Sequence, residues 1–588
     1  MTQSENLYHS EAAVGRFKAL EQTVRERQLS NIPFALARSS ADTFLRLSAA
    51  DKMLASPLFG AWLDRIAQAV HNPSGDPLEA MRTVSRRIGY IGNYAIAAAL
   101  TGGEDAEESV RLKNGHVMIP ELGRAALNGD ENSWVKAEVA NGALTLTSSQ
   151  AHVVMYQDVM HTATEAWEPL RYIGPDDCKV ALNDIDPNRK IFRYPVAERL
   201  DDAQFNLWNT TFNEAWDCLQ KYDPYMARIV QASLNTIVPA PPEPLTHGKS
   251  MAAGAAFGVI GINENRDPFR LASHLVFGTR KHLLIALRGE SPELYHPEDN
   301  SLATLPVYPP SREGHGIAPF LQDDSFVNIG LARFFSGLTG QDDPTLRAYG
   351  ELSFTRWYAE ARQNLDALHA SGYVLDANRE LVAALEEEMA ALAPRFNAMP
   401  NAAKQAVEVH TYDRYLSWRV HNITPDRQVV AHLRNVWLHG SSCPNIIVPC
   451  ELSKSIAAYT HLGQRNRYVL AEVRTKEPDF FTAVTTTDRQ EFFATSTAGD
   501  VAFARSDICN ARRYFAATIR QQPSSAEAWA GLALTFTSET SASACVLTRQ
   551  PELVTALYAA IDDTTIEPEA LAAWLAPSRM AAVPNVSY

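Results

Sequence analysis

The sequence predicts a mainly α protein with a small antiparallel β-sheet inserted toward its N-terminal side, an α+β arrangement ending in a tetratricopeptide-like helical hairpin. Three observations carry this. Apolar residues recur at helical spacing over most of the chain. Between about residues 110 and 195 the pattern changes to short alternating segments around an Asn-Gly pair. Near the C-terminus, Ala511 to Phe536 reads as two helices of small and aromatic residues separated by Pro523. The chain has 588 residues, enough for several structural units with cores of their own.

The N-terminal region, 1–108, reads as helices, with Val14, Phe17, Leu20 and Val24 on one face and a helix start at Pro57 running through Leu58, Trp62, Ile66 and Val70. The polar stretch from Thr101, TGGEDAEES, breaks the pattern. Region 109–200 is the β-rich part. WVKAEVANGALTLTS alternates on both sides of Asn141-Gly142, and HVVMYQD and WEPLRYIG add extended segments. The densest charged motif, LNDIDPNRK, places Asp184, Asp186 and Arg189 in one turn that Asp186-Pro187 starts.

Helices return in region 201–440. Phe205, Trp208, Phe212, Trp216 and Leu219 form an aromatic stripe expected to be a packing face. The proline-rich VPAPPEPLTHG leads to a small-residue strand, MAAGAAFGVIGIN. Next come an apolar helix, Leu271 to Leu287, and a loop too long for a simple connector. Helices resume near Asp323. Region 441–588 is helical and carries the hairpin.

Composition excludes several classes. The formal net charge of −15 argues against a broad nucleic-acid footprint. No apolar run is long enough to span a membrane, and the first residues show no secretory apolar core, so a cytoplasmic location is expected. The six cysteines show no C-x-x-C spacing and read as free thiols. Nucleophile-elbow, Walker A and dinucleotide-binding glycine motifs are absent.

Several segments, in order, resemble the HExxH-type peptide β-hydroxylases that tailor ribosomally made peptides. They are WEPLRYIG with CKVALNDIDPNRK; FNLWNTTFNEAWDCL; AAFGVIGIN with DPFRLASHLVFGTRKHLLIAL; LPVYPPSREGHGIAPFLQDDSFVNIGLARFF; DRYLSWRVHNITPDRQVVAHLRNVWLHG; and YFAATIRQQPSSAEAWAGLAL with RQPELV. The resemblance runs from about residue 167 to the C-terminus. It implies iron and 2-oxoglutarate as cofactors and a ribosomal precursor peptide as partner.

The family's metal motif places two histidines one helical turn apart, with a glutamate after the first. Here Phe277, Gly278 and Lys281 stand at those positions, so the motif is lost and no metal is expected there. His274 and His282 flank it, ~12 Å apart along a helix, too far for one metal. The resemblance places a third ligand near Asp323 and keeps a Pro-x-Arg element at Pro310-Ser311-Arg312, with Arg312 a cofactor-binding candidate. Lys281, His282, Arg312, His315 and Asp323 are the candidates for a rebuilt site, and His282 with His296 or His315 for a displaced metal site. His152 and His161 read as unrelated polar residues. Two functions stay open: a tailoring enzyme with oxidoreductase-like chemistry on a rebuilt site, and a pseudoenzyme that binds the precursor or partners another modifying enzyme. A homo-oligomeric state stays open as well.

Overall fold

In the computed structural model, the described residues are 32–71, 84, 87–127, 133–149, 151–191, 195–241, 250–252, 256–263, 266–290, 306–307, 316–374, 378–452, 462–486 and 496–581. Two compact units divide the chain. One holds residues 1–242 and 249–283, the other 243–248 and 284–588.

The first unit opens with helices α1 (Ile32–Arg46), α2 (Ala50–Leu54), α3 (Pro57–His71) and α4 (Ile91–Gly102). Pro57 starts α3 as its sequence position suggests, because the first helical residue has no intrahelical use for an N–H. Every residue of α4 from Ile91 to Leu100 is buried. A helix apolar all round belongs inside, and α4 is the centre of this core. Within it Asn93 accepts the Arg111 amide at 3.0 Å and donates to the Met118 carbonyl at 2.8 Å. At Gly92 a Cβ would stand 2.4 Å from the Ser109 carbonyl oxygen, so only glycine lets the helix lie this close to the sheet.

That sheet is antiparallel, with strands β1 (Ala106–Lys113), β2 (His116–Ile119), β3 (Gly123–Ala126), β4 (Trp134–Ala140), β5 (Ala143–Thr147), β6 (His152–Tyr156) and β7 (Trp167–Pro169) in the order β6-β5-β4-β1-β2-β3-β7. The expected hairpin is there. Ala140 pairs with Ala143, and Asn141 and Gly142 turn with φ of 51° and 73°. Two consecutive positive φ values are what a two-residue turn needs to match strand twist. The sheet is wider than one hairpin, and its inner face shares a single core with α1 to α4.

A second, mixed sheet was only partly foreseen. Strands β8 (Arg171–Ile173), β9 (Val180–Leu182), β10 (Thr236–Ala240), β11 (Ser250–Ala252) and β12 (Val259–Asn263) lie in the order β11-β12-β10-β9-β8. β10 runs parallel to both β9 and β12. Both β10 and β12 are buried along their whole length, the mark of parallel strands covered on two faces. Helices α5 (Asp202–Tyr222) and α6 (Pro224–Ser233) precede β10. A capping box at Asp201 and Gln204 starts α5. Its aromatic stripe packs inward, with Trp208, Phe212, Trp216 and Leu219 buried. Helix α7 (Pro268–Glu290) follows β12, and the border between units falls within it.

The second unit is helical: α8 (Ala318–Ser336), α9 (Pro344–Ala370), α10 (Arg379–Asn397), α11 (Asn401–Asn422), α12 (Arg427–Leu438), α13 (Leu462–Lys476), α14 (Pro478–Thr486), α15 (Ala498–Ala504), α16 (Ile508–Gln521), α17 (Ala526–Leu534), α18 (Ala542–Arg549), α19 (Pro551–Ile561) and α20 (Pro568–Trp574). Helix α8 begins five residues before the expected Asp323, because Pro319 is tolerated in a first turn. Helices α16 and α17 are the expected pair around Pro523, whose carbonyl accepts from Trp529 Nε1 at 2.8 Å. All six cysteines are free, and only Cys509 is exposed. No helix among the described residues is long and apolar enough to cross a membrane.

Candidate functional site

Helix α7 carries the positions where the metal motif would stand. Gly278 faces β12. A Cβ there would meet Ile260 Cδ1 at 2.5 Å and Cγ1 at 2.7 Å, so a glutamate fits only if the Ile260 side chain moves. Phe277 and Lys281 lie one turn apart, with Lys281 Nζ 5.8 Å from the Phe277 ring centre. A phenyl has no donor and an ammonium no free lone pair, so this face does not fit an iron ion.

His282 is 1% exposed, and its ring centre is 5.4 Å from that of Phe257. Burial pushes its imidazole down to about 4, so it is neutral near pH 7. Its Nε2 has no hydrogen-bond partner among the described residues. His274 is pushed down to about 3, by burial first and then by Arg270. His282 is a core residue, and His274 is half-buried. His152 and His161 are exposed, and the first lies 3.1 Å from Thr147 Oγ1. Asp323 is buried in α8 of the second unit, a turn into the helix rather than at its start. Arg312, His315 and His296 lie outside the described residues. Among the described residues, no three His, Cys, Asp or Glu side chains are grouped to hold a metal ion.

The LNDIDPNRK segment is the more developed polar site. Asp184 is fully buried and accepts from Arg171 at 2.7 Å, Arg199 at 2.6 Å and the Leu200 amide at 2.9 Å. It is a structural staple tying β8 to the start of α5. The expected turn is also there: Asp186 Oδ1 accepts the Asn188 amide at 2.6 Å, and Arg189 donates to the Asp186 carbonyl at 2.9 Å. Asp186 itself is 1% exposed but has no ion pair among the described residues. Burial pushes its carboxyl up to about 6. The charge of Glu121 adds to that shift, while the Asn188 amide, Arg189 and Lys113 oppose it.

Sequence reasoning missed what surrounds Asp186. Tyr90 and Tyr94, one turn apart at the start of α4, are buried, and among the described residues neither hydroxyl has a hydrogen-bond partner. Burial raises both phenols well above their usual range, with Asp186 and Glu121 adding to it. Glu121, at a left-handed φ of 65°, takes the Ser56 hydroxyl at 2.5 Å. Burial raises its carboxyl, against the pull of Ser56 and Lys52. Arg65 on α3, Arg87 before α4, Lys113 at the end of β1 and Lys190 after the turn add positive charge. The i,i+4 tyrosine pair was a visible signal, but the other members are distant in sequence.

The second unit buries charge differently. Glu360 on α9 lies 2.9 Å from Arg356 and 3.2 Å from Arg414. Burial pushes its carboxyl up, but Arg414 and Arg356 more than offset that and hold it well below the usual range. Arg467 on α13 bridges Asp413 at 2.5 Å and Asp500 at 2.7 Å. These are paired, hydrogen-bonded networks that fasten α9, α11, α13 and α15, with buried His410 beside Glu360 at 3.6 Å. Compared with known proteins, the sequence matches no family model and no curated protein.

Proposed function

We propose that this chain serves the tailoring of a ribosomally synthesised peptide as a non-catalytic relative of the peptide β-hydroxylases, binding the precursor or partnering a second modifying enzyme. The observation that supports the non-catalytic reading over a rebuilt enzyme is the packing of Gly278 against Ile260. The position where a catalytic glutamate would stand is a contact point of helix and sheet, flanked by Phe277 and Lys281. The neutral, buried His282 fits the same picture, since an imidazole beside Phe257 serves packing. The α16–α17 pair, read as one tetratricopeptide-like hairpin, supplies a helical surface suited to holding a peptide or partner.

Mass spectrometry of the precursor peptide tests this. The peptide should keep its mass with this protein alone and change only when the second enzyme is added. A mass change with this protein alone would establish the rebuilt-enzyme reading instead.

A further inference from the structure

Strand β6 ends the seven-stranded sheet, and among the described residues no strand pairs with its outer edge. Its ladder with β5 fixes which backbone groups face that edge. The Ser148 amide donates to the Ala151 carbonyl at 2.9 Å, and the Gln157 amide to the Gly142 carbonyl at 2.9 Å. Between them Leu146 stands opposite Val153 and Leu144 opposite Met155. Bonded pairs alternate in an antiparallel ladder, so Ala151, Val153, Met155 and Gln157 turn their N–H and C=O groups to β5. His152, Val154 and Tyr156 turn theirs to the open edge.

An open edge is a template for another strand, and proteins usually blunt it by brevity, proline or charge. The other edges of the two large sheets follow that rule. Strands β7, β8 and β11 have three residues each, and β7 closes on Pro169. Strand β6 has five residues, HVVMY, with no proline, lysine, arginine or acid among them. Met155 points into the core. On the outer face Val154 and Tyr156 are 45% and 59% exposed, and Val159 just beyond the strand is 48% exposed. Main-chain pairing groups and an apolar row thus lie along the same edge.

Charge and size narrow the occupant. From Ala137 to Leu170 the sequence has no lysine or arginine. Exposed Asp105 takes the Asn141 amide at 3.1 Å, at the turn that meets the Gln157 end of the strand, and exposed Asp158 follows β6 directly. On the outer face Glu138 stands in the cross-strand row of Thr145 and Val154. The nearby cation, Lys136, is engaged by Glu107 at 2.9 Å and Glu138 at 3.5 Å. A second copy of the chain would bring the same acids to the edge. It would also meet β6 over five residues, against the ~20–30 residues a side of a standard protein interface. An extended peptide with basic flanks fits both conditions, because main-chain bonds supply its affinity and alternate side chains its specificity.

We propose that β6 is a docking edge for an extended peptide flanked by lysine or arginine, which joins the sheet as an eighth strand through the N–H and C=O groups of His152, Val154 and Tyr156. Alternate apolar side chains of the peptide pack beside Val154 and Tyr156. The inference deepens the peptide-binding reading, on which it rests for the source of the peptide.

The test is fluorescence anisotropy of the full chain with a labelled synthetic peptide carrying the ALTLT sequence of β5 between pairs of lysines. Saturable one-site binding is expected, with slowed hydrogen exchange at the His152, Val154 and Tyr156 amides. The same peptide N-methylated along its ALTLT stretch keeps its charge and should bind at least about tenfold more weakly. Glutamates in place of its lysines should weaken it at least about fivefold. Val154→Pro removes one edge-facing N–H and leaves the ladder with β5 intact, so it should keep the circular dichroism spectrum and weaken binding at least about tenfold. Val154→Lys keeps every backbone group and should weaken binding at least about fivefold by repelling the lysines. No saturable binding overturns the proposal, as does binding that survives N-methylation or both Val154 variants. A concentration-dependent dimer that Val154→Pro dissolves would put a second copy on the edge and overturn it equally. The probe carries no precursor sequence, so its failure strikes the docking edge alone, whereas a precursor that changes mass with this protein alone strikes only the non-catalytic reading.

Discussion

Asp186 in the first unit and Glu360 in the second are both buried carboxyls, yet burial has opposite outcomes. Glu360 has two guanidinium groups within 3.2 Å and stays ionised far below its usual range. Asp186 has a backbone amide and, among the described residues, no ion pair, and it is pushed up to about 6. Burial alone raises a carboxyl; a geometrically matched partner reverses the sign. The second unit spends its buried charge on fastening helices. The first leaves a carboxyl poised near physiological pH, without such a partner among the described residues.

The comparison is broken most forcefully at Arg467. Replacing it with Ala strands Asp413 and Asp500, at 2% and 1% exposure, and should cost about 3–5 kcal/mol in urea unfolding. A loss below about 1 kcal/mol would mean the network is not a fastening device. Asp186→Asn should act with the opposite sign. The folded carboxyl titrates near 6 and an unfolded one near 3.9, so the native state binds its proton more tightly. Wild-type stability from this group is fully present below about pH 4 and is lost as pH rises through about 6. The Asn variant should therefore gain up to about 3 kcal/mol over wild type at pH 7.5 and nothing at pH 4. An equal effect at both pH values would refute the poised carboxyl.

A smaller effect is expected at Gly278→Ala, where the new methyl overlaps Ile260. Thermal and denaturant unfolding should show a loss of about 1–3 kcal/mol. A neutral outcome would mean the α7 face has room, which would reopen the rebuilt-enzyme reading. The smallest effect is spectroscopic. The His282 ring nitrogens should not titrate between pH 5.5 and 8 in nitrogen-15 NMR, because burial holds the imidazole neutral.

What the sequence made legible was local. The Asn141-Gly142 turn, the α5 stripe and the Asp186-Pro187 turn each depend on residues within a few positions, and each is present. That Phe277, Gly278 and Lys281 offer no metal donor was equally plain, since their side-chain chemistry is read directly off the sequence. The mixed sheet was harder, because β9 and β10 pair in parallel across an intervening two-helix segment. The contact of Gly278 with Ile260 and the gathering of Arg65, Tyr94, Lys113 and Glu121 around Asp186 follow from long-range packing that no periodicity encodes. Glu121 shows this well: a charged residue at a left-handed φ beside Ser56 has no signature in its own neighbourhood.

The cysteines give the chain a built-in chemical clock. Burial holds Cys178 up at about 12 and Cys218 at about 11, both in the first unit, and raises Cys443 and Cys450 in the second. A thiol alkylates through its thiolate, so buried Cys178 reacts only as fast as its surroundings open, half-buried Cys218, Cys443 and Cys450 are slowed, and exposed Cys509 reacts first. Pulse alkylation followed by peptide mapping would then time the opening around Cys178 in the first unit against Cys509 as an internal reference within one molecule.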